Sequence, residues 1–97
     1  MVLEIARFQA VEGKAEELRA GLLRGAEVIR RGEGCRSVTV RRCIEDRTQF
    51  IYTIEWETLE AHTVTFRGGP LFAEYRSHIN GLFVEPVAVN HYETVEA

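Results

Sequence analysis

The chain has 97 residues, of which 45% are apolar and 28% charged, and this composition is that of a folded globular protein rather than a disordered or fibrous one. Acidic side chains outnumber basic ones by 15 to 12, and the formal charge of −3 argues against nucleic-acid binding through clustered Lys and Arg. No window approaches the roughly 20 apolar residues of a membrane-spanning helix and no signal peptide is apparent, so we expect residues 1–97 to form a single cytoplasmic domain that binds neither nucleic acid nor membrane.

The first two predicted elements are a strand and a long helix. Residues 2–10 are rich in β-branched and aromatic side chains and contain neither Gly nor Pro, which predicts a strand. Apolar residues then recur at spacings of three and four over 11–29, which predicts an amphipathic helix that ends at Gly32. Gly21 and Gly25 share one side of this helix, so either another group approaches closely there or the helix tolerates their cost of about 1 kcal/mol each.

A β-hairpin is predicted to follow the helix. Residues 35–43 and 49–56 read as two strands joined by a polar turn. Cys35 and Cys43 lie on the first of these strands, and at roughly 3.3 Å per residue their Cα atoms would be about 26 Å apart, beyond the reach of a disulfide. Both cysteines are therefore expected to be free thiols without a catalytic role.

Two short helices and a strand are predicted for the rest of the chain. Thr58 is a suitable N-cap for the first short helix, and Pro70 has a favourable position at the start of the second, which Gly81 ends. Residues 84–95 predict the last strand. The apolar helix faces consist of Leu59, His62 and Phe66 in the first helix and of Leu71, Phe72, Tyr75 and Ile79 in the second.

The element order β-α-β-β-α-β is typical of a ferredoxin-like α+β fold, in which a four-stranded antiparallel sheet carries two helices on one face. The other face would present apolar groups such as Leu3, Ile5 and Ile51, and a half-apolar sheet face left in water is unusual. A second copy of the chain is the expected cover, so we predict a homodimer.

The aromatic face of the third predicted strand bears on function. Tyr52, Trp56 and their apolar neighbours alternate along 50–56. Such a face serves as a platform for stacked nucleobases, as the wall of a closed apolar pocket, or as ordinary core. Glu55 interrupts the segment and the chain is acidic, so the nucleobase platform is disfavoured. Pocket wall and core remain open on these residues alone.

Motifs for metals and nucleotides are not apparent in the sequence. His62, His78 and His91 are widely separated and show none of the short His or Cys spacings of metal sites. A lone histidine on an apolar helix face is more often a packed core residue than a ligand. The Arg67–Pro70 segment is too short for a phosphate loop, so neither a metal nor another cofactor is predicted.

Four short motifs, in their order and at their distances, resemble the antibiotic biosynthesis monooxygenase family over nearly the whole chain. They are EGC at 33–35, EW at 55–56, LEAH at 59–62 and PLFAEYR at 70–76. The resemblance implies a homodimer in which two ferredoxin-like sheets join as a dimeric α+β barrel, with an apolar pocket between each sheet and its helices. It also implies a cofactor-independent monooxygenase that uses O₂ on a small electron-rich aromatic substrate, either a quinol or a polyketide-like phenol.

The same resemblance implies site residues. Trp56 and Arg76 match residues that polyketide-oxidising members place around the substrate. His62 and Tyr52 stand where those members have Tyr and Asn, and members with a His at this place resemble quinol monooxygenases. His62 would accept a proton because its unperturbed pKa is about 6.5, Arg76 would bind a phenolate or peroxide oxygen, and Trp56 would offer a flat wall and one N–H. The predicted catalytic residues are His62, Arg76 and Trp56, and the predicted substrate-binding residues are Tyr52, Phe66, Phe72 and Tyr75.

Two other functions share these features. One is a non-catalytic dimeric module that binds a small aromatic molecule, since such a module needs the same pocket. The other is a haem-degrading monooxygenase, because a branch of the family degrades haem. In that branch an Asn stands on the first strand, where this chain has Ala6, and His78 is misplaced for the haem histidine.

Overall fold

The computed structural model describes residues 1–96. Within this range four strands and two α-helices follow the predicted order, with one π-helical segment ahead of the second α-helix. The elements are β1 (Val2–Gln9), α1 (Ala15–Arg30), β2 (Cys35–Arg42), β3 (Gln49–Trp56), the π-helical segment (Ala61–Phe66), α2 (Pro70–Ser77) and β4 (Ala88–Tyr92).

The four strands form one antiparallel sheet in the order β2-β3-β1-β4. This order, with both α-helices packed on one face, confirms the predicted ferredoxin-like α+β fold. The register matters for the site, because Glu4 on β1 lies opposite Ile54 on β3 and also opposite His91 on β4. Side chains directly opposite one another in an antiparallel pair share a face, so these three side chains point to the helices.

The core lies between the sheet and α1. Alternate residues of each strand point inward, and the aromatic residues of β3 are almost completely buried, with Tyr52 at 1% exposure and Trp56 at 0%. Leu18, Leu22 and Ile29 of α1 pack against them. Burial of a side chain of this size stabilises the fold by about 1.5–3 kcal/mol, so this face of the sheet is core as well as cavity wall.

The two glycines of α1 lie where other groups come close. Gly21 packs against the backbone at the end of α2, and a Cβ there would overlap the carbonyl oxygen of His78. Gly25 leaves room for the Tyr52 hydroxyl, which donates a hydrogen bond to the carbonyl oxygen of Leu22 at 2.6 Å. Of the two explanations open from the sequence, close approach is therefore the correct one at both positions.

Several predicted boundaries differ from those observed. Helix α1 begins at Ala15 rather than near residue 11, because Gly13 has a positive φ of 79° that an α-helix cannot contain. The last strand covers Ala88–Tyr92 rather than 84–95, and Pro86 in the missing part has no N–H for the ladder. Leu59 was expected on a buried helix face, but it lies just before the π-helical segment and is 42% exposed.

The sheet face opposite the helices is left without a cover by residues 1–96 of one chain. Leu3, Ile5 and Ile51 lie there and are only half-buried, as the predicted dimer interface requires. The homodimer itself stays a prediction. Among the described residues, no helix combines the length and the apolar character that crossing a membrane demands.

Candidate active site

A small, partly enclosed cavity of about 50 Å³ lies between the sheet and the helices, and all the predicted site residues line it. Because β3, the π-helical segment and α2 converge there, residues distant in the chain become neighbours. Their roles remain predictions. The predicted site residues around this cavity are Tyr52, Trp56, His62, Phe66, Phe72, Tyr75 and Arg76.

Both the ring and the N–H of Trp56 contact other side chains of the protein. The indole Nε1 donates a hydrogen bond to the Oε1 atom of Glu4 at 2.9 Å. The His62 ring stacks on the indole, with ring centroids 5.3 Å apart and an interplanar angle of 17°. The expectation that Trp56 offers a free flat wall and a free N–H to a substrate is therefore wrong for this conformation, since Glu4 and His62 occupy both.

His62 is the centre of a buried polar cluster. Its Nδ1 atom lies 2.8 Å from Nε2 of His91 and 3.4 Å from Oε1 of Glu4. Glu4 and His62 are each 4% exposed, whereas His91 is half-buried on the edge strand β4. The cluster thus runs from the cavity wall towards the edge of the sheet.

The sequence analysis missed Glu4 and His91. Glu4 has a readable signal, because it shares the strand parity of Ala6 and Phe8 and so places a carboxyl group on the inward face of β1. His91 has no comparable signal. Its position opposite Glu4 depends on the register between β1 and β4, which the spacing of histidines in the chain does not reveal.

Burial dominates the electrostatics of the cluster. Burial, with smaller effects of His91 and Arg67, lowers the pKa of His62 to about 4. The expectation that His62 titrates near neutrality is therefore wrong in the folded protein. Burial raises the pKa of Glu4, against the opposing effects of the Trp56 hydrogen bond and of Arg67. At neutral pH His62 is an uncharged imidazole with one protonated and one unprotonated ring nitrogen.

A π-helical turn carries His62. This class of turn is rare and is found frequently at functional sites, where the inserted residue changes the direction of neighbouring side chains. The turn that leads into it is held by Thr58, whose Oγ1 accepts a hydrogen bond from the N–H of Ala61 at 3.1 Å, as the predicted N-cap requires. His62 and Phe66 of the segment are buried against the sheet.

Arg76 lines the other end of the cavity and has spare hydrogen-bonding capacity. One terminal nitrogen, Nη2, lies 3.4 Å from Oε1 of Glu85, and the guanidinium packs over the Phe83 ring at 5.1 Å. The Nε atom is buried and has no hydrogen-bond partner among residues 1–96. An unsatisfied buried donor costs about 1–3 kcal/mol, so this N–H is a natural partner for an oxygen that enters the cavity.

A wider cleft lies elsewhere on the chain. It has a volume of about 680 Å³, lies at the end of the sheet near the β2–β3 turn, and contains none of the predicted site residues. Arg7, Ile44 and Ile51 are among its lining residues. Ile51 belongs to the uncovered sheet face, so in the predicted dimer a second chain would close part of this cleft.

The fold and the cavity together define a small ferredoxin-like domain with a buried histidine cluster under its helices. Within this class, the family model of antibiotic biosynthesis monooxygenases matches residues 1–77, and the chain belongs to that family.

Individual relatives cover the whole domain. The chain is 28% identical to the uncharacterised protein YczJ of Bacillus subtilis (strain 168), over 98% of this chain and all of that protein. A candidate antibiotic biosynthesis monooxygenase from Bordetella bronchiseptica, known from its crystal structure, has 30% sequence identity to this chain. The two structures superpose with a TM-score of 0.91, and the match covers 98% of this chain and 97% of that one. SnoaB of Streptomyces nogalater, a cofactor-independent oxygenase, has a TM-score of 0.83 at 17% identity, covering 99% of this chain and 94% of that one; this likeness shows the fold alone.

Proposed function

We propose that the protein is a monooxygenase that uses O₂ to oxidise a small electron-rich aromatic substrate, a quinol or a phenol, without flavin or catalytic metal. One oxygen atom enters the substrate and the other leaves as water. The substrate supplies all four electrons that this requires, for example when a ring CH₂ becomes a carbonyl, so no external reductant is consumed. Family membership supports the reaction type, and the cavity residues support the aromatic substrate.

The unpaired N–H of Arg76 is the observation that carries the proposal. A buried guanidinium nitrogen without an acceptor, next to a cavity walled by aromatic rings, matches a ligand that has an oxygen on a flat apolar body. Because Arg keeps its charge, it would favour that oxygen as a phenolate or as a peroxide anion. In this proposal Arg76 stabilises the developing anion.

His62 would accept the substrate proton. Because His62 is a weak base, a neighbouring group must stabilise its protonated form, and Glu4 is close enough to do so. Transfer from a phenol of pKa about 10 to an imidazole of pKa about 4 is uphill by roughly 6 units, or about 8 kcal/mol. A carboxylate beside the imidazole stabilises the imidazolium as it forms, as in Ser–His–Asp triads. Oε1 of Glu4 lies 3.4 Å from Nδ1 of His62. We therefore assign Glu4 to offset part of this cost, and His91, whose Nε2 lies 2.8 Å from Nδ1 of His62, to orient the ring.

Substrate entry requires the cavity to open. Its volume of about 50 Å³ holds only a few waters, whereas ligand pockets usually exceed about 300 Å³. Phe72 on α2 is one of the half-buried residues of the cavity wall. Helix α2 is only eight residues long and follows Gly68 and Gly69, so it is the element best suited to move aside.

Oxygen uptake by His62→Gln tests the proposal. The substitution roughly keeps size and hydrogen bonding but removes the proton acceptor. With quinols and anthrone-type phenols as substrates in metal-free buffer, kcat should fall by about 10²–10⁴-fold. His78→Gln is the matched control, because His78 is half-buried at the end of α2 and outside the cavity lining, and it should keep the parent rate. Equal rates in the two variants, both folded, would refute the role of His62.

A non-catalytic module that binds a small aromatic molecule is the second candidate function. The cleft of about 680 Å³ favours it, since its volume lies within the usual range for ligand pockets, whereas the His62 cavity has only about 50 Å³. Saturable binding of an aromatic ligand without any oxygen uptake, weakened by Ile51→Asp but not by His62→Gln, would support this function over the oxygenase.

The haem-degrading alternative has no support from the site. Ala6, at the place where haem-degrading members would have Asn, is apolar and 2% exposed. His78 does not line the cavity. We therefore do not propose this activity.

A further inference from the structure

Three side chains with metal-binding atoms meet beside the cavity, although they come from three different elements. Glu4 on β1 and His91 on β4 are direct cross-strand partners, and His62 reaches both of them from the π-helical segment. One ligating atom from each residue lies within 4.8 Å of the ligating atoms of the other two. Sequence spacing could not reveal this cluster, because its members lie at the beginning, the middle and the end of the chain.

Two of the three separations within the cluster match those of a coordination sphere. Bonds of about 2.0–2.2 Å from Zn²⁺ to nitrogen or oxygen place two ligand atoms about 3.0 Å apart at a right angle and about 3.4 Å apart at a tetrahedral angle. The observed separations are 2.8 Å from His62 Nδ1 to His91 Nε2 and 3.4 Å from His62 Nδ1 to Glu4 Oε1. A metal ion would need shifts of only a few tenths of an ångström in these two pairs.

We propose that Glu4, His62 and His91 form a binding site for a divalent transition-metal ion. Two imidazoles and one carboxylate suit Zn²⁺, Fe²⁺ or Co²⁺, whereas Mg²⁺ and Ca²⁺ require mainly oxygen ligands. Glu4 and His62 both line the cavity, so a three-ligand site would keep a coordination position open on that side.

The surroundings of the cluster resemble an outer coordination shell. The Trp56 N–H donates to Oε1 of Glu4 and so holds a ligand carboxylate in a fixed orientation. The indole ring also fixes the plane of His62 by stacking on it. Arg67 lines the same cavity and repels a cation, whereas Glu4 would ligate the ion as a carboxylate and so oppose that repulsion. An ion would thus replace the hydrogen bond between His62 and His91 and would bind beside a carboxylate that Trp56 already holds.

Metal binding and the proposed oxidation are separate properties of the same residues. A neutral imidazole has one lone pair, so a His62 that ligates an ion through Nδ1 carries its proton on Nε2 and cannot accept another. The metal-bound protein is therefore inactive as a base. Binding is measurable whether or not the protein oxidises anything, so failure of one proposal does not decide the other.

Calorimetric titration with Zn²⁺ tests the site. Both the parent and a Cys35→Ser/Cys43→Ser variant should be used after removal of metals, because the variant excludes binding by the two free thiols. We expect one ion per chain with a Kd of about 10 µM or tighter in both proteins. Co²⁺ should give visible d–d absorption in the Cys-free variant without thiolate charge-transfer bands.

Single substitutions identify the ligands. His91→Ala should weaken Zn²⁺ binding by at least about 100-fold. Loss of a residue that only contacts a ligand from the outer shell lowers metal affinity by less, about 10–100-fold. This variant is the decisive one, since His91 is half-buried on an edge strand and its loss leaves the core intact. Glu4→Gln should weaken binding similarly, and His78→Ala should leave it unchanged. Absence of binding at 200 µM Zn²⁺, or equal affinity in folded His91→Ala, would overturn the proposal.

Discussion

Gly21→Ala should destabilise the protein, although alanine is the better helix former. The added Cβ would overlap the carbonyl oxygen of His78 and would lie 3.3 Å from both the carbonyl carbon of His78 and Cγ2 of Ile79. The obstacle is mainly backbone, so α1 and the end of α2 must separate rather than one side chain rotate. Overpacking of this kind costs about 1–3 kcal/mol, and we place this case near the upper end.

The gain in helix propensity offsets part of that cost. Replacing Gly by Ala inside a helix stabilises it by about 1 kcal/mol, which leaves a net loss of about 1–2 kcal/mol for Gly21→Ala. For a domain of this size each kcal/mol lowers Tm by roughly 4–8 °C, so the fall should be about 4–16 °C.

Thermal and urea unfolding measure this effect, and Arg24 supplies the matched control. Arg24 is exposed on the same helix, so substitutions there change no packing. The difference in unfolding free energy between Arg24→Ala and Arg24→Gly therefore measures the difference in helix propensity between Ala and Gly alone. A Gly21→Ala variant that is as stable as the parent, or more stable, would refute the close packing of α1 on the end of α2.

Three further predictions concern assembly, thiol chemistry and metal removal. Sedimentation at micromolar concentration should give a homodimer, and a monomer of about 11 kDa would contradict the predicted cover of Leu3, Ile5 and Ile51. Burial raises the pKa of the Cys35 thiol, so its alkylation should reach half-maximal rate at a higher pH in the native protein than in the unfolded chain. Because folding favours the neutral thiol, its contribution to stability should be lost as the pH rises through the folded pKa. A native midpoint at or below that of the unfolded chain would contradict the burial of Cys35. Chelators should not lower oxygen uptake, since the proposed oxidation uses no metal, and a loss after EDTA would contradict it.

The order of elements and most of the core could be predicted from the sequence. The alternation of buried residues in β3 and the spacing of three and four between apolar residues in α1 are periodicities of single elements. Such periodicities depend only on neighbouring residues, so the sequence reveals them. The ferredoxin-like fold followed from them, and the buried state of His62 followed from its place on an apolar helix face. Short-range rules failed at element ends, where Gly13 and Pro86 decided the boundary, and at Leu59, which lies outside the π-helical segment and is exposed.

The chemistry of the site depended on contacts between distant segments. Glu4, His62 and His91 come together only through the β1–β4 register and the π-helical turn, neither of which has a local signature in the chain. Sequence alone assigned His62 its ordinary pKa, because desolvation is a property of the packed environment and not of the residue. For the same reason the free Trp56 wall could be expected from residue types, whereas its occupation by Glu4 and His62 was decided by tertiary structure.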